Sequence, residues 1–346
     1  MVLIFPYFCT KNQKMRNFNA IISGVGGYVP ETILTNEDIT TLVDTSDEWI
    51  TTRTGIKERR ILKGDSMGAS FMGVQAINEL LRKTRTKPEE VDAIICSTTT
   101  PDYIFPSTAS VMAEQCGIKN AFAYDLSAAC SGFIFGLVNG ATFVESGRFK
   151  KVIIVATEKM SSITDYTDRA TCPLFGDGAA AVMLEPTTEK LGLIDSVLHT
   201  DGSGFPYLHM KAGGSANPAS HETIDARQHF VYQEGQQVFK FAVSKLVEAS
   251  EEMKTRNNLT AEDVTWVVPH QANMRIIDSV TRTMKVPLER VMINIQKYGN
   301  TSSASIPICL WEFENKLKKG DVLIMSAFGA GFSWGSVYVK WGYNSI

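Results

Sequence analysis

The feature that most constrains this chain is a repeat inside it. The segment Lys87-Pro88-Glu89-Glu90-Val91-Asp92-Ala93-Ile94-Ile95 returns as Thr260-Ala261-Glu262-Asp263-Val264-Thr265-Trp266-Val267-Val268. Each is an acidic turn followed by an apolar run too short for a helix and suited to a buried strand. Lys151-Val152-Ile153-Ile154-Val155-Ala156 matches Asp321-Val322-Leu323-Ile324-Met325-Ser326 at nearly the same offset, about 170 residues. Between the paired runs lie stretches of helical periodicity opened by small residues, over 131–145 and 303–317. Short buried strands alternating with helices predict mostly parallel sheets covered on both faces, an α/β protein made of two similar halves. The halves are expected at 19–188 and 189–346, divided after a strand over 179–184, with 1–18 as an N-terminal extension. Residues 202–219, rich in Gly, Ser and Pro, read as a loop over a pocket.

At 346 residues, 44% apolar and 21% charged, the chain can bury a large core. A formal net charge of −3, without long runs of like charge, excludes a basic nucleic-acid footprint, so binding is expected in a local pocket. The six cysteines (Cys9, Cys96, Cys116, Cys130, Cys172 and Cys309) form neither a CxxC pair nor a regular framework, which predicts reduced thiols and a cytoplasmic setting. None of the five histidines is paired at ligand spacing, so no bound metal is expected. The apolar start Val2–Phe8 lacks a basic region before it and is interrupted by Pro6; it reads as an extension rather than an export signal. No apolar stretch approaches the roughly 20 residues that span a bilayer.

Three short segments carry chemistry. Cys130, in Ala128-Ala129-Cys130-Ser131-Gly132-Phe133, follows a predicted strand over 122–126 and opens a helix. Free N–H groups and the helix dipole there favour a thiolate. His270, in Val268-Pro269-His270-Gln271-Ala272-Asn273, ends a strand where α/β sheets present catalytic groups. Asn300, in Tyr298-Gly299-Asn300-Thr301-Ser302-Ser303, sits in a turn entering the next helix. Taken singly, a cysteine in an apolar stretch is as a rule an inert core residue, and a lone histidine or a turn asparagine is usually structural. Equivalent strand-to-helix junctions of a repeated fold would bring all three to the interface between the halves. A fourth segment, Ala327-Phe328-Gly329-Ala330-Gly331-Phe332-Ser333-Trp334-Gly335, reads both as a tight hairpin turn and as a close backbone approach completing an oxyanion hole. It is not a dinucleotide motif, because it runs into a strand rather than a helix.

Together with Asp44-Thr45-Ser46-Asp47-Glu48-Trp49-Ile50 and Arg53-Thr54-Gly55-Ile56, these segments resemble the β-ketoacyl-acyl-carrier-protein synthase III family, initiators of type II fatty acid synthesis, from about Asn19 to the C-terminus. The resemblance implies a thiolase-like five-layer αβαβα fold and a homodimer. It implies Cys130, His270 and Asn300 as the catalytic trio, with the N–H groups of Cys130 and Ala330 as oxyanion hole. By the same resemblance Trp49 and Arg169 sandwich the adenine of coenzyme A, and Thr45, Arg53 and Asn273 line its tunnel. Phe105, which reaches across to the neighbouring subunit, Cys172, Leu174 and Phe328 are implied at the primer pocket. Two departures stand out: Ala330 replaces a common glycine, and Cys172-Pro173-Leu174 differs from the usual pocket lining, which leaves the primer's length open.

The expected reaction starts with attack of Cys130 on an acyl-CoA. Decarboxylation of malonyl-acyl-carrier protein then yields an enolate held by His270 and Asn300, which attacks the acyl-cysteine. No cofactor is called for. The acidic carrier protein is expected to dock on Lys240, Arg275 and Arg282, the last two on one face of a helix predicted over 271–285. The order Cys, His, Asn also fits a papain-like hydrolase, but that reading lacks the Cys-Gly-Ser-Cys-Trp signature and does not explain the repeat. A non-catalytic protein of the same fold would not need the trio. A related enzyme priming a polyketide, aryl-polyene or other secondary product remains the serious alternative.

Overall fold

The computed structural model describes residues 18–345; the predicted extension, with Cys9, lies almost wholly outside the described residues. Two sheets carry the molecule. The first has the order β1-β5-β4-β2-β3, where β1 is Asn19–Tyr28, β2 Ala93–Ser97, β3 Phe122–Leu126, β4 Val152–Lys159 and β5 Asp177–Thr187. The second has the order β7-β8-β9-β6, where β6 is Gly192–Thr200, β7 Trp266–Pro269, β8 Val322–Gly329 and β9 Ser333–Lys340. Read from the opposite edge, the two orders coincide, with β6, β9, β8 and β7 standing for β1, β5, β4 and β2. The counterpart of β3 has shrunk to a single parallel bridge between Val267 and Val291. The repeat in the sequence is thus a repeat in topology.

Expectation and structure differ on direction. Parallel pairing is confined to β2 with β3, β2 with β4, and β7 with β8. The remaining pairs, β1 with β5, β4 with β5, β8 with β9 and β9 with β6, are antiparallel, so both sheets are mixed. The physical reason is visible at the tight turn after Gly329, which returns the chain as a hairpin and leaves no crossover helix between β8 and β9.

Helices fill the spaces. α4 (Gly132–Glu145) and α7 (Ser305–Glu312) lie between the sheets, α2 (Ala69–Thr84) and α3 (Thr108–Gln115) cover the outer face of the first, and α5 (Gly235–Arg256) and α6 (Met274–Met284) cover that of the second. The short α1 (Asp47–Thr54) is capped by Ser46. This is the five-layer αβαβα arrangement, and side-chain alternation explains it. On β4, Val152, Ile154 and Ala156 join the central apolar cluster while Ile153 and Val155 join the outer one. On β8, Leu323, Met325 and Ala327 face the centre, and Ile324 and Phe328 face α5 and α6. A strand buried on both faces must be apolar at every position, which is why these runs read as continuous rather than alternating.

Candidate active site

Cys130 lies in, and Asn300 two residues before, matching turns at the inner ends of the central helices. Residues Ala129–Ser131 and Ser302–Ala304 each form one 3-10 turn before α4 and α7, and each opens on a left-handed non-glycine residue, Ala129 at φ 46° and Ser302 at φ 50°. Such backbone is strained and recurs where a side chain must be aimed. His270 follows β7, its N–H donating to the Ser326 carbonyl at 2.8 Å. Gln271, buried, ties this strand end down: its amide donates to the carbonyls of Pro269 (2.7 Å) and Met292 (3.2 Å) and accepts from the N–H groups of Asn294 and Ile295.

Cys130, His270 and Asn300 line one cavity of about 690 Å³, together with Ala330, Phe328 and Leu174. Its mouth is framed by Trp49, Arg53, Asn273 and Arg275. The loop predicted over 202–219 contains a short strand, Leu208–Met210, paired with Val231–Gln233; residues of both line the cavity, as does Phe239 of α5.

The polar geometry divides labour. His270 is 2% exposed, and burial pulls its imidazole down to about 3, so it is neutral at physiological pH. Its Nδ1 lies 2.6 Å from the Ser305 hydroxyl, which also accepts from the Gln271 N–H at 3.2 Å. No other acceptor for that hydroxyl's hydrogen is within reach among the described residues, so the hydrogen goes to Nδ1 and the imidazole carries its own proton on Nε2. Asn300 accepts from the Ser302 N–H through Oδ1 (2.9 Å), which turns its NH2 group the other way. Among the described residues neither the Nε2 of His270 nor the Nδ2 of Asn300 has a protein partner: two neutral donors border the cavity that holds the thiol.

A Cβ placed on Gly329 would lie 2.7 Å from the Cys130 nitrogen and 3.1 Å from that of Ser131, so the end of β8 lies against the turn that carries Cys130. Among the described residues, the N–H groups of Cys130 and Ala330 donate to no other backbone carbonyl. Against the thiolate expected from the helix N-terminus, burial pushes the Cys130 thiol up to about 12, and its Sγ donates to the Ser302 oxygen at 3.6 Å. Desolvation disfavours a charged sulfur at this position.

Other expected residues fall differently. The guanidinium groups of Arg53 and Arg169 lie 4.5 and 4.7 Å from the Trp49 ring, so a planar base enters against Trp49 only by displacing one of them. Asn273 borders the cavity and caps α6, which begins at Met274 rather than 271. Thr45 and Cys172 do not line the cavity. Cys172 is buried in the outer cluster of the second sheet, and the Thr45 hydroxyl is enclosed without a partner. Phe105 is 85% exposed and does not line the chain's own cavity. Arg275 stacks on Phe239 at 4.7 Å, next in sequence to the exposed Lys240, and Arg282 is exposed further along α6. Sequence reasoning missed Ser302, Ser305 and Glu158; only Glu158 left a signal, an acid closing an otherwise apolar strand. Among the described residues no group of three or more His, Cys, Asp or Glu is placed to hold a metal ion, and no helix is long and apolar enough to cross a membrane.

Known proteins share this arrangement. Residues 124–202 match the family model 3-Oxoacyl-[acyl-carrier-protein (ACP)] synthase III, and residues 255–341 match the model of its C-terminal part. β-Ketoacyl-acyl-carrier-protein synthase III 1 of Bacteroides thetaiotaomicron is 57% identical over 330 residues, covering 95% of this chain and 98% of that protein. The crystal structure of 3-oxoacyl-acyl-carrier-protein synthase III from Aquifex aeolicus VF5 has a TM-score of 0.85 at 42% identity, covering 94% of this chain and all (100%) of that one. The priming β-ketosynthase of the R1128 polyketide pathway has a TM-score of 0.87 at 34% identity, covering 95% and 98%. With relatedness of this degree running through both halves, the chain belongs to the β-ketoacyl-acyl-carrier-protein synthase III family.

Proposed function

We propose that this protein is the initiating condensing enzyme of type II fatty acid synthesis, joining an acyl group from acyl-CoA to malonyl-acyl-carrier protein. Cys130 attacks the acyl thioester, the N–H groups of Cys130 and Ala330 hold the tetrahedral oxyanion, and coenzyme A leaves. Malonyl-acyl-carrier protein then presents its thioester oxygen to Nε2 of His270 and Nδ2 of Asn300. Both donors are neutral, so they stabilise the enolate left by decarboxylation without surrendering a proton to it. The enolate carbon attacks the acyl-cysteine, giving 3-oxoacyl-acyl-carrier protein and expelling the Cys130 thiolate, which takes up a proton from solvent.

The observation that carries this reading is the pair of unengaged neutral donors on the cavity that contains Cys130. A hydrolase would need a base there instead, and His270 is the wrong tautomer and too weakly basic for that. The pocket walls Leu174 and Phe328 are apolar, as an acyl chain requires. Trp49, Arg53, Arg169 and Asn273 are assigned to coenzyme A at the mouth, and Lys240, Arg275 and Arg282 to the carrier protein. A homodimer belongs to the same reading; the exposed Tyr103, Ile104 and Phe105 on one loop support it. Steady-state kcat/KM with a panel of acyl-CoAs and malonyl-acyl-carrier protein tests the proposal. Release of carbon dioxide with formation of a 3-oxoacyl product is expected, and the best primer separates fatty acid initiation from polyketide priming. Thioester hydrolysis without condensation for every primer would reject it.

A further inference from the structure

Burial leaves Cys130 protonated at rest, so its proton must go somewhere when the sulfur attacks. His270 is excluded as the acceptor, since Nδ1 is taken by Ser305 and Nε2 already carries hydrogen. The other side of the thiol offers a path. Sγ of Cys130 donates to the Ser302 oxygen (3.6 Å), and the Ser302 hydroxyl donates to Oε1 of Glu158 at 3.0 Å. Glu158 lies near the end of β4 at 0% exposure. Its contacts are hydroxyls and one amide rather than a cation: Thr98, Thr100 (2.8 Å), Ser303 (2.8 Å), and both the hydroxyl and the N–H of Thr99 (3.0 Å for the latter).

We propose that Glu158 is the resting acceptor of the Cys130 proton, reached through the Ser302 hydroxyl. The proposal rests on the reading of Cys130 as nucleophile and adds the step that reading lacks. The S–H bond breaks as its hydrogen passes to the Ser302 oxygen, while the hydrogen of Ser302 passes to Oε1. Thiol and carboxylate become thiolate and carboxyl with no change in net charge, so no charge has to enter or leave the site. The thiolate then forms the S–C bond, the coenzyme leaves as a thiolate, and the proton returns through Ser302 to the departing sulfur.

The surroundings suit such a store. Burial pushes the Glu158 carboxyl up and the hydroxyls around it pull it back, while its charge raises the thiol beside it. Moving the proton removes that repulsion as the thiolate forms. The other titratable groups near Glu158 have different attachments. Cys96 on β2 is itself pushed up by burial and by Asp125, Glu158 and Asp102. Lys159 donates to the Met67 carbonyl, and Asp177 of β5 accepts from Ser161 and the Leu62 N–H.

The test is the pH profile of Cys130 alkylation by iodoacetamide in the full-length enzyme, followed by intact mass with no substrate present. Near neutral pH, Glu158→Gln and Ser302→Ala should each slow alkylation about 100-fold, the lower end of what a positioned proton acceptor contributes. A purely electrostatic or structural Glu158 predicts the opposite sign: removing a negative charge beside the thiol makes the thiolate easier to form, and Glu158→Gln alkylates faster. That result, or an unchanged rate in Ser302→Ala, overturns the proposal. Ser302→Ala decides the matter if Glu158→Gln does not fold, because alanine already occupies the equivalent left-handed position at 129. Since alkylation uses neither coenzyme A nor carrier protein, failure to condense acyl groups would count against the proposed function and not against the relay.

Discussion

Replacing Ser305 with alanine removes one oxygen far from any substrate contact, yet it should damage one half of the reaction selectively. Ser305 is 2% exposed, and its Oγ serves two buried groups, Nδ1 of His270 at 2.6 Å and the N–H of Gln271 at 3.2 Å. Stranding a buried polar group costs about 1–3 kcal/mol. With the Gln271 bond already long, the expected loss of stability is roughly 2–4 kcal/mol. The kinetic effect comes from the imidazole. Without the serine hydrogen on Nδ1, the ring is free to place its proton on either nitrogen and to rotate, so Nε2 is no longer held as a donor to the enolate. Full loss of one oxyanion donor costs about 100- to 1,000-fold, and partial loss of its orientation should cost about 10- to 100-fold. Primer loading, which uses Cys130 and backbone N–H groups, should fall by less than about threefold. The half-reactions are measured separately, as acyl transfer to the enzyme and as carbon dioxide release from malonyl-acyl-carrier protein. If the folded variant loses loading as severely as decarboxylation, or loses neither, the assignment of the His270 proton to Nε2 is wrong.

Three further outcomes follow from the same geometry. Gly329→Ala places a Cβ 2.7 Å from the Cys130 nitrogen, against backbone that cannot swing aside, so acyl loading should fall about 100-fold or more; an unchanged loading rate would separate the end of β8 from the oxyanion hole. His270 is lowered from 6.5 to about 3, so between those pH values the unfolded chain holds a proton that the folded chain does not. Stability should therefore fall as pH drops through this window, by a total on the order of 5 kcal/mol, and urea midpoints measured against pH should be flatter for His270→Gln. Charge reversal at Arg275 and Arg282 should raise KM for malonyl-acyl-carrier protein at low salt, with the effect shrinking as salt rises and primer loading spared; a wild-type KM at low ionic strength would place the docking surface elsewhere.

Much of this could be read from the chain, for identifiable reasons. The repeated acidic turns and apolar runs exposed two halves, because strands buried on both faces cannot conceal their composition. Strand direction was less legible: the hairpin after Gly329 and a crossover helix both begin with small residues. Cys130, His270 and Asn300 were found through their motifs and the family resemblance, whereas Ser305 and Ser302 are serines in a serine-rich turn, and only three-dimensional contact tells which one holds an imidazole and which faces a thiol. The thiolate expectation came from a helix N-terminus, a local feature visible in sequence, whereas the burial that raises the thiol depends on how the folded chain encloses it. Cys172 and Thr45 were placed by the resemblance alone, and turn side chains have no period from which their direction can be read.

The central claim is that Cys130 carries the acyl group and that His270 and Asn300 act on the malonyl unit. Intact-protein mass spectrometry after incubation with an acyl-CoA, then with malonyl-acyl-carrier protein, tests it most directly. Wild-type enzyme should gain one acyl mass and lose it on adding the carrier. Cys130→Ala should gain none while still releasing carbon dioxide from the malonyl carrier, and His270→Ala and Asn300→Ala should load but discharge slowly. An acyl adduct that persists on Cys130→Ala would contradict the account.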